Sequence, residues 1–292
     1  EEAAIVRVHM RYDFNSLENI NETDIMCLGD RVVKEDRYVG IDERVDYLIH
    51  KKGENSQRTE SLLAKKAETK DFINDIENCI GRTLDSIFAP SLDQLLKQVE
   101  KPGRYIGNEI NVSVKDTSEV DVRFAFAFPD LYEIGMSYVG LQILYNIINK
   151  RENLYCERVF APATDMEELM RKVSYPLFTL ETKTPVRDMD VLGFTLQYEM
   201  SFTNILNMLE LSGLPLLSKD RDDSCPLVIA GGPCAFNPEP LADFVDIFIV
   251  GDGELALPEL LEALADAKKA GISRLEFFKK IANQDGIYIH HF

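Results

Sequence analysis

Glycine and polar residues stand at four points where an apolar stretch gives way to a helical pattern. After Phe128 the spacing is Asp-x-Tyr-x-x-Gly, and a serine follows that can cap the next helix. Glycines let a backbone approach a ligand closely, and the amides at a capped helix start can face an anion or a polar ring substituent. One such turn is typical of a tight connection, but four of them favour a ligand site. The candidate residues are Asp130, Tyr132, Gly135, Met136, Ser137 and Gly140 at the first point, Thr195, Leu196 and Gln197 at the second, Gly231, Gly232 and Pro233 at the third, and Gly251, Gly253 and Glu254 at the fourth.

The chain lacks the motifs of common nucleotide and metal sites. No Gly-x-Gly-x-x-Gly or Walker-type loop occurs, which disfavours an ordinary nicotinamide, flavin or nucleoside triphosphate site. The five cysteines form neither a Cys-x-x-Cys pair nor a Cys-x-x-x-Cys-x-x-Cys triplet, and the four histidines form no i, i+4 pair. His290 and His291 would point to opposite faces of an extended strand. We predict no zinc or iron–sulfur site in this chain, and no metal ligands.

A sheet must bring the candidate residues together, and the sequence pattern predicts one. Several of the predicted strands are apolar at every position, as in a sheet that is covered on both faces. Their alternation with helical segments predicts an α/β fold with a doubly wound, mostly parallel, Rossmann-like sheet, in which ligands bind beyond the carboxyl ends of the strands. The predicted strands are Val120–Phe128, Leu154–Phe160, Pro176–Leu180, Val191–Leu196, Pro226–Ala230 and Val245–Val250, and the predicted helices are Leu92–Val99, Ser137–Asn149, Asp165–Lys172, Phe202–Leu211 and Glu254–Ala270.

The first 90 residues have a different character. Residues 1–57 hold short apolar runs broken by turns, which predicts short strands at 3–6, 25–28, 31–33 and 45–49. Residues 58–88 contain no proline and carry an apolar stripe at three- and four-residue steps, which predicts a long amphipathic helix with a weak point at a glycine, Gly81. That helix can pack on the chain's own strands or bind a partner helix. Ala89-Pro90-Ser91 ends the pattern and predicts a domain boundary near residue 90.

Composition excludes several classes of partner. The 292 residues carry 32 basic and 50 acidic side chains, so the formal net charge is -18, and nucleic acid and anionic membranes would be repelled overall. The longest apolar stretches fall far short of the ~20 residues that cross a bilayer. An odd number of scattered cysteines suits a reducing compartment, and no secretory signal opens the sequence. We therefore predict a cytoplasmic protein.

Residues 92–255 resemble the N-terminal cobalamin-binding-like domain of an uncharacterised family of radical S-adenosylmethionine (SAM) proteins. The resemblance rests on KPGRYIGNE, FAFPDLYEIGMSYVGLQIL, CERVFAPATDMEELM, GFTLQYEMSFTNILNML and IAGGPCAFNPEPLADFVDIFIVGDGE. It implies a cobalamin-binding-like fold. In wider cobalamin-binding folds an Asp-x-His-x-x-Gly motif gives a histidine to cobalt, whereas Tyr132 stands at the matching position here. The resemblance thus implies cobalamin bound without a histidine ligand.

Of the other motifs of cobalamin-binding folds, one matches only partly here and one is present in full. The Ser-x-Leu motif that packs along the nucleotide tail matches only partly at Thr195-Leu196-Gln197, while the glycine pair that accommodates the tail is present as Gly231-Gly232. The family continues with a barrel whose three cysteines hold a four-iron, four-sulfur cluster that binds S-adenosylmethionine. Because the cluster motif is absent here, the cluster and S-adenosylmethionine are expected only in that missing domain.

These observations leave three interpretations open. The first is the cofactor-holding domain of a radical SAM enzyme, with a cobalamin-type molecule or the catalytic barrel as partner. The second is a non-catalytic interaction module that keeps the fold without the cofactor. The third is a phage structural protein with this domain fused to it, because Leu28-Gly29-Asp30-Arg31-Val32 and the following helix faintly resemble phage tail-associated proteins. The expected organisation is a strand-rich segment with a helix at 1–90, the α/β domain at 91–270, and the start of a linker toward the barrel at 271–292.

Overall fold

A computed structural model describes residues 13–14, 19, 22–34, 37–52, 56–80 and 91–290. The chain divides into two compact units, Glu1–Ala89 and Pro90–Phe292. Within the described residues, no helix has both the length and the apolar character that a membrane span requires.

The described part of the first unit is mainly helical, so the prediction of short strands at 25–28 and 45–49 is wrong, and the one at 31–33 holds only for Val33. Both runs lie inside helices, because their buried residues continue at helical spacing: Ile41, Val45 and Leu48 share one buried face. The run at 3–6 lies outside the described residues. The elements are α1 (Glu22–Val32), β1 (Val33–Lys34), β2 (Arg37–Tyr38), α2 (Gly40–Lys52) and α3 (Ser56–Ile80), with β1 and β2 antiparallel.

The long helix α3 packs on the first unit's own core. Phe72 is buried in a cluster with Leu28, Val32 and Val45, while Leu63 on the same helix is half exposed. Gly81 and the rest of the predicted stripe to residue 88 lie outside the described residues. A partner helix for this segment, and the resemblance of residues 1–90 to phage proteins, stay predictions.

The second unit is built on a six-stranded sheet, which confirms the predicted α/β fold with a mostly parallel, doubly wound sheet. Five strands are parallel, and the sixth pairs antiparallel at one edge. The strand order is β4-β3-β5-β6-β7-β8. The strands are β3 (Val122–Phe128), β4 (Leu154–Phe160), β5 (Val191–Thr195), β6 (Leu227–Gly231), β7 (Ile247–Ile249) and β8 (Ile287–Tyr288).

Helices cover both faces of this sheet. Strand β3 alternates phenylalanine and alanine, so that Phe124, Phe126 and Phe128 point to one face, here called the phenylalanine face, and Ala125 and Ala127 to the other. The helices are α4 (Leu92–Leu96), α5 (Gly103–Ile106), α6 (Tyr132–Ser137), α7 (Val139–Asn149), α8 (Thr164–Val173), α9 (Phe202–Leu211), α10 (Gly253–Lys269) and α11 (Arg274–Ile281). Helices α7, α10 and α11 pack on the phenylalanine face, and α8 and α9 pack on the alanine face.

Two predicted segments differ from the structure. Pro176–Leu180 is not a strand of the sheet: only Phe178 bridges to Pro185, and the chain turns back through Lys183, whose φ is 61°. This turn still covers the edge of β4, since the amide of Leu180 donates to the carbonyl of Arg158 at 2.7 Å. In place of a linker after residue 270, α11 and β8 complete the helical layer and the sheet.

Candidate functional site

The strand order reverses between β3 and β5. The chain leaves β3 for β4 on one side and returns to β5 on the other, and doubly wound sheets have their ligand crevice at such a point, here beyond the carboxyl ends of β3 and β5. Asp130 follows β3 and Tyr198 follows β5, and the Tyr198 hydroxyl donates to Asp130 Oδ2 across this crevice at 3.0 Å. Asn204 on α9 donates to the carbonyl of Pro129 at 2.9 Å. The two strand ends are therefore tied together where a ligand is expected.

The ends of β5 and β6 are joined by a tight backbone turn. The amide of Leu196 donates to the carbonyl of Gly231 at 2.7 Å, and the amide of Cys234 donates to the carbonyl of Leu196 at 3.1 Å. Gly232 has φ 111°, and a Cβ there would lie 2.9 Å from the carbonyl oxygen of Leu196. Pro233 then begins a short 3-10 turn. Gly232 is thus glycine because the fold requires it.

A small apolar cavity lies below this edge, on the phenylalanine face. Its volume of about 40 Å³ holds about three water molecules at roughly 10–15 Å³ each. Thr195, Gly231 and Gly253 line it together with Leu144 of α7 and Leu257 of α10. A Cβ on Gly231 would come no closer than 3.4 Å to its neighbours, and one on Gly253 no closer than 3.6 Å. A small side chain at either position would fit without a clash, so these two glycines leave unfilled space at the cavity.

Thr195 supplies the polar side chain in the lining of this cavity. Thr195 ends β5 and is largely buried, and its hydroxyl accepts a hydrogen bond from the side-chain amide of Gln197. The rest of the lining is apolar. The lining therefore suits an apolar group with few polar atoms, and a ring would fit only if neighbouring side chains moved, because the space is about 40 Å³.

Tyr132 points away from this cavity into a charged cluster at the β4 side of the sheet. Its hydroxyl donates to Glu109 Oε1 at 2.9 Å, and burial, with the carboxylate of Glu109 next in effect, raises the pKa of Tyr132 to about 12. Arg158, almost fully buried, donates to Glu109 at 2.7 Å and to Glu181 at 2.6 Å. Tyr132 is therefore a neutral phenol whose hydroxyl already has a partner.

The remaining residues of the first junction also serve packing. A Cβ on Gly135 would lie 2.4 Å from the Phe160 ring, and one on Gly140 would lie 2.7 Å from the Tyr138 ring, so both glycines make room for aromatic neighbours. Met136 Sδ receives a hydrogen bond from Arg158 at 3.2 Å. Ser137 donates to the carbonyl of Ile134 at 2.7 Å, and Tyr138, not Ser137, is the N-cap of α7. The expectation that Ser137 caps the helix is therefore wrong, whereas a role of Gly135 and Gly140 in ligand binding stays a prediction.

The fourth junction leads from β7 into α10. Gly251 has φ 120° and no atom within 4 Å of a Cβ built on it, so only its backbone conformation requires glycine. Asp252 is the N-cap of α10, Gly253 is the first helical residue, and Glu254 lies in the first turn. Of the three predicted residues here, Gly253 faces the cavity.

The site as a whole offers a cavity and a crevice but no ligand set for a metal. Among the described residues no three His, Cys, Asp or Glu side chains lie close enough together to hold an ion. Cys234 stands near the edge beside Glu199, and burial, then that carboxylate, raises the pKa of its thiol, which keeps it protonated.

The structure brings some of the predicted residues together and adds others. Thr195, Gly231 and Gly253 meet at the cavity, whereas Tyr132 and Met136 join the cluster around Arg158. No sequence pattern points to Leu144 and Leu257, which line the cavity as apolar residues of their helices. Gly193 was detectable, because a glycine inside a strand marks a close approach: a Cβ there would lie 2.4 Å from the Phe124 ring.

Comparison with known proteins assigns the family. A family model described as "Radical SAM proteins, N-terminal" matches residues 140–290, just over half of the chain. A curated uncharacterised protein of Methanocaldococcus jannaschii is 26% identical over 131 residues, which cover 44% of this chain and 24% of that protein. The chain thus spans about a quarter of the length of that relative. No solved structure matches. The chain belongs to the radical SAM proteins, and the matched region is their N-terminal domain.

Proposed function

We propose that the second unit is the ligand-holding, cobalamin-binding-like domain of a radical SAM enzyme system. The observation that carries the proposal is the cavity at the carboxyl edge, where Gly231 and Gly253 lack side chains that the fold would tolerate. The reversal of strand order next to it supports the same place, since ligands of doubly wound sheets bind at such a point. In this proposal a flat tail of the ligand enters the cavity and its bulk lies over the edge.

The residues fit the tail of a corrinoid better than its metal. An apolar ring would contact Leu144 and Leu257, which must move because the cavity holds only about three waters, and Thr195 would offer one hydroxyl. For cobalt, Tyr132 is a poor ligand, since its phenol is neutral and donates to Glu109. When bound, a corrinoid would supply methyl-transfer or radical chemistry. This chain's residues would bind and orient it, while the cluster and S-adenosylmethionine belong to the barrel of the family.

Titration with hydroxocobalamin, followed by its visible spectrum, tests the proposal. We expect saturable binding to the wild-type chain and binding weakened at least about tenfold, roughly 1.4 kcal/mol, in Gly231→Val, whose side chain would fill the cavity. Gly103→Val is the matched control, because a Cβ at Gly103 meets no atom within 4 Å and lies on α5, away from the cavity. Equal binding by both variants would place the ligand elsewhere.

A second candidate function is an interaction module without a cofactor. The direct bridge from Tyr198 to Asp130 across the crevice, and the engagement of Tyr132 by Glu109, favour it because both occupy groups that a ligand would otherwise use. If wild-type protein at micromolar concentration shows no saturable binding of hydroxocobalamin, this second function is the better account.

A further inference from the structure

The hydroxyl hydrogen of Thr195 is buried at the cavity without an acceptor from the protein. Thr195 is 7% exposed, and its side chain lies on the phenylalanine face of β5, where the cavity is. Its oxygen accepts a hydrogen bond from Nε2 of Gln197, but among the described residues the hydroxyl itself donates to no atom. Buried donors in folded proteins nearly always have an acceptor. The acceptor for this hydroxyl is therefore expected inside the cavity.

The side-chain amide of Gln197 sets the direction of this hydroxyl. An amide NH₂ group only donates, and a hydroxyl has one hydrogen to donate and two lone pairs that accept. Because Gln197 occupies one lone pair of the Thr195 oxygen, the hydroxyl hydrogen must point away from that amide, and the cavity lies beside the same side chain. The cavity thus presents one hydrogen-bond donor among otherwise apolar side chains and glycines.

The amide of Gln197 is held in place by the turn around it. The preceding residue, Leu196, is fixed because its amide donates to the carbonyl of Gly231 at 2.7 Å. A Cβ on Gly232 would come within 3.2 Å of Gln197 Nε2, so the missing side chain leaves room for the amide. Gln197 is half-buried and does not line the cavity. A group inside the cavity therefore meets Gln197 only through Thr195.

We propose that Gln197 is a positioning residue that makes the cavity selective for a group with a hydrogen-bond acceptor and no donor, such as a neutral ring with an unprotonated nitrogen. An acceptor atom would take the hydroxyl hydrogen of Thr195. A ring N–H could reach only the remaining lone pair, and the hydroxyl hydrogen would then stay buried without an acceptor, which costs free energy. The proposal rests on the proposed function in taking this cavity as the place where the ligand is held.

Substitution of Gln197 by glutamate should reverse the selectivity. A carboxylate only accepts, so the hydroxyl of Thr195 would donate to it and would leave its lone pairs for a ring N–H in the cavity. Thr195→Val is the matched control, because valine has nearly the size of threonine and no hydroxyl. In that background a change at position 197 should have no effect on the choice between rings.

Oxazole and pyrrole test the selectivity, because both are five-membered rings of similar size. Oxazole accepts through its nitrogen, whereas pyrrole donates through its N–H. The full chain, with isotope-labelled leucine methyl groups, is titrated with each ring, and the NMR shifts of Leu144 and Leu257 report binding in the cavity. We expect the ratio of the Kd for pyrrole to the Kd for oxazole to fall at least about tenfold from wild type to Gln197→Glu. The ratio should change little between Thr195→Val and the double variant Thr195→Val with Gln197→Glu.

Three outcomes would overturn the proposal: no methyl shift with either ring, a wild-type preference for oxazole no greater than that of Thr195→Val, or the same change on Gln197→Glu with and without the Thr195 hydroxyl. Hydroxocobalamin titration of the wild-type chain tests the proposed function separately. Ring selectivity without binding of hydroxocobalamin would count against the cofactor role alone. Hydroxocobalamin binding with an unaltered ring preference in Gln197→Glu would count against the role of Gln197 alone.

Discussion

Two adjacent glycines at the end of β6 illustrate how different physical reasons produce the same residue type. The sequence pattern treats Gly231-Gly232 as one unit that accommodates a ligand tail. In the structure only Gly231 faces the cavity, while Gly232 has φ 111° and lies against the carbonyl of Leu196. A loss of binding in a Gly232 variant would therefore report on folding, and Gly231 is the position that tests the cavity.

Substitution by alanine should have opposite effects on stability at Gly232 and at Gly231. Gly232→Ala should lower the free energy of unfolding by about 1–2 kcal/mol or more, because an L-residue at positive φ is strained and its Cβ would meet a carbonyl oxygen. Gly231→Ala should leave it unchanged or raise it by up to about 1 kcal/mol. Chemical denaturation of both variants measures the difference, and an equally destabilised Gly231→Ala would show that the cavity is not free space.

Asp246 is the residue on which we expect stability to depend most. Its carboxylate is fully buried and accepts hydrogen bonds from Arg221 at 2.9 Å, from Arg274 and from the amide of Val228 at 2.7 Å. Asp246→Asn should cost about 3–5 kcal/mol, because two buried guanidinium groups lose their counter-charge. Denaturation of Glu262→Gln is the control: Glu262 is half exposed in its pair with Arg151, so its loss should cost at most about 1 kcal/mol.

The sequence predicts which residue types stand at the site more reliably than it predicts what each residue does. Strand-end positions are visible in sequence, because an apolar run followed by glycine marks the junction, and Thr195, Gly231 and Gly253 do meet at one cavity. The role of Tyr132 could not be predicted. Its partner Glu109 lies 23 residues earlier in the sequence, in a segment without regular pattern, and pairs with Arg158 of β4.

At the scale of elements, the parallel strands were predictable and the first unit was not. A buried parallel strand is a continuous apolar run, so five strands appear within about two residues of their predicted bounds. In α1 and α2 the apolar residues are few and separated by charges, and reading them as short runs conceals their helical spacing. The edge strand β8 has only two residues, which are too few to show the two-residue alternation of a strand in the sequence.

Helix α11 and strand β8 contribute to the core and the sheet of the second unit, so we expect its fold to depend on them. Phe277 and Ile281 of α11 are buried, and β8 pairs with β7 through Ile249 and Ile287. A protein of residues 91–290 should unfold in one cooperative thermal transition, whereas a protein of residues 91–270 should not, because it leaves several core side chains uncovered at about 1.5–3 kcal/mol each. A cooperative transition in the shorter protein would show that residues 271–290 are the linker expected from the sequence.

At the scale of the whole molecule, buried tyrosines predict the alkaline limit of stability. Burial raises the pKa of Tyr145 to about 12, as it does for Tyr132, and the amide of Ser113 donates to the Tyr145 hydroxyl at 2.8 Å. A pKa above the unfolded value of about 10 means that the folded state favours the protonated phenol. The stabilisation is therefore complete below about pH 10 and is lost as pH rises toward about 12.

Urea denaturation between about pH 9 and pH 12 measures this loss. The double variant Tyr132→Phe with Tyr145→Phe should be less stable than wild type at pH 9, since it lacks two hydrogen bonds, but should lose less stability per pH unit above pH 10. A double variant with the wild-type slope would assign the alkaline transition to other groups.

The proposed function requires that the second unit hold a corrinoid by its tail at the carboxyl edge, without a nitrogen ligand from the chain. The most direct measurement is the electron paramagnetic resonance spectrum of cob(II)alamin, prepared by reducing hydroxocobalamin in the presence of excess protein. We expect a protein-dependent spectrum whose cobalt lines carry no nitrogen splitting, because the tail base would lie in the cavity and the phenol of Tyr132, which donates to Glu109, supplies no nitrogen. A spectrum with nitrogen splitting, or one identical to that of free cob(II)alamin, would contradict it.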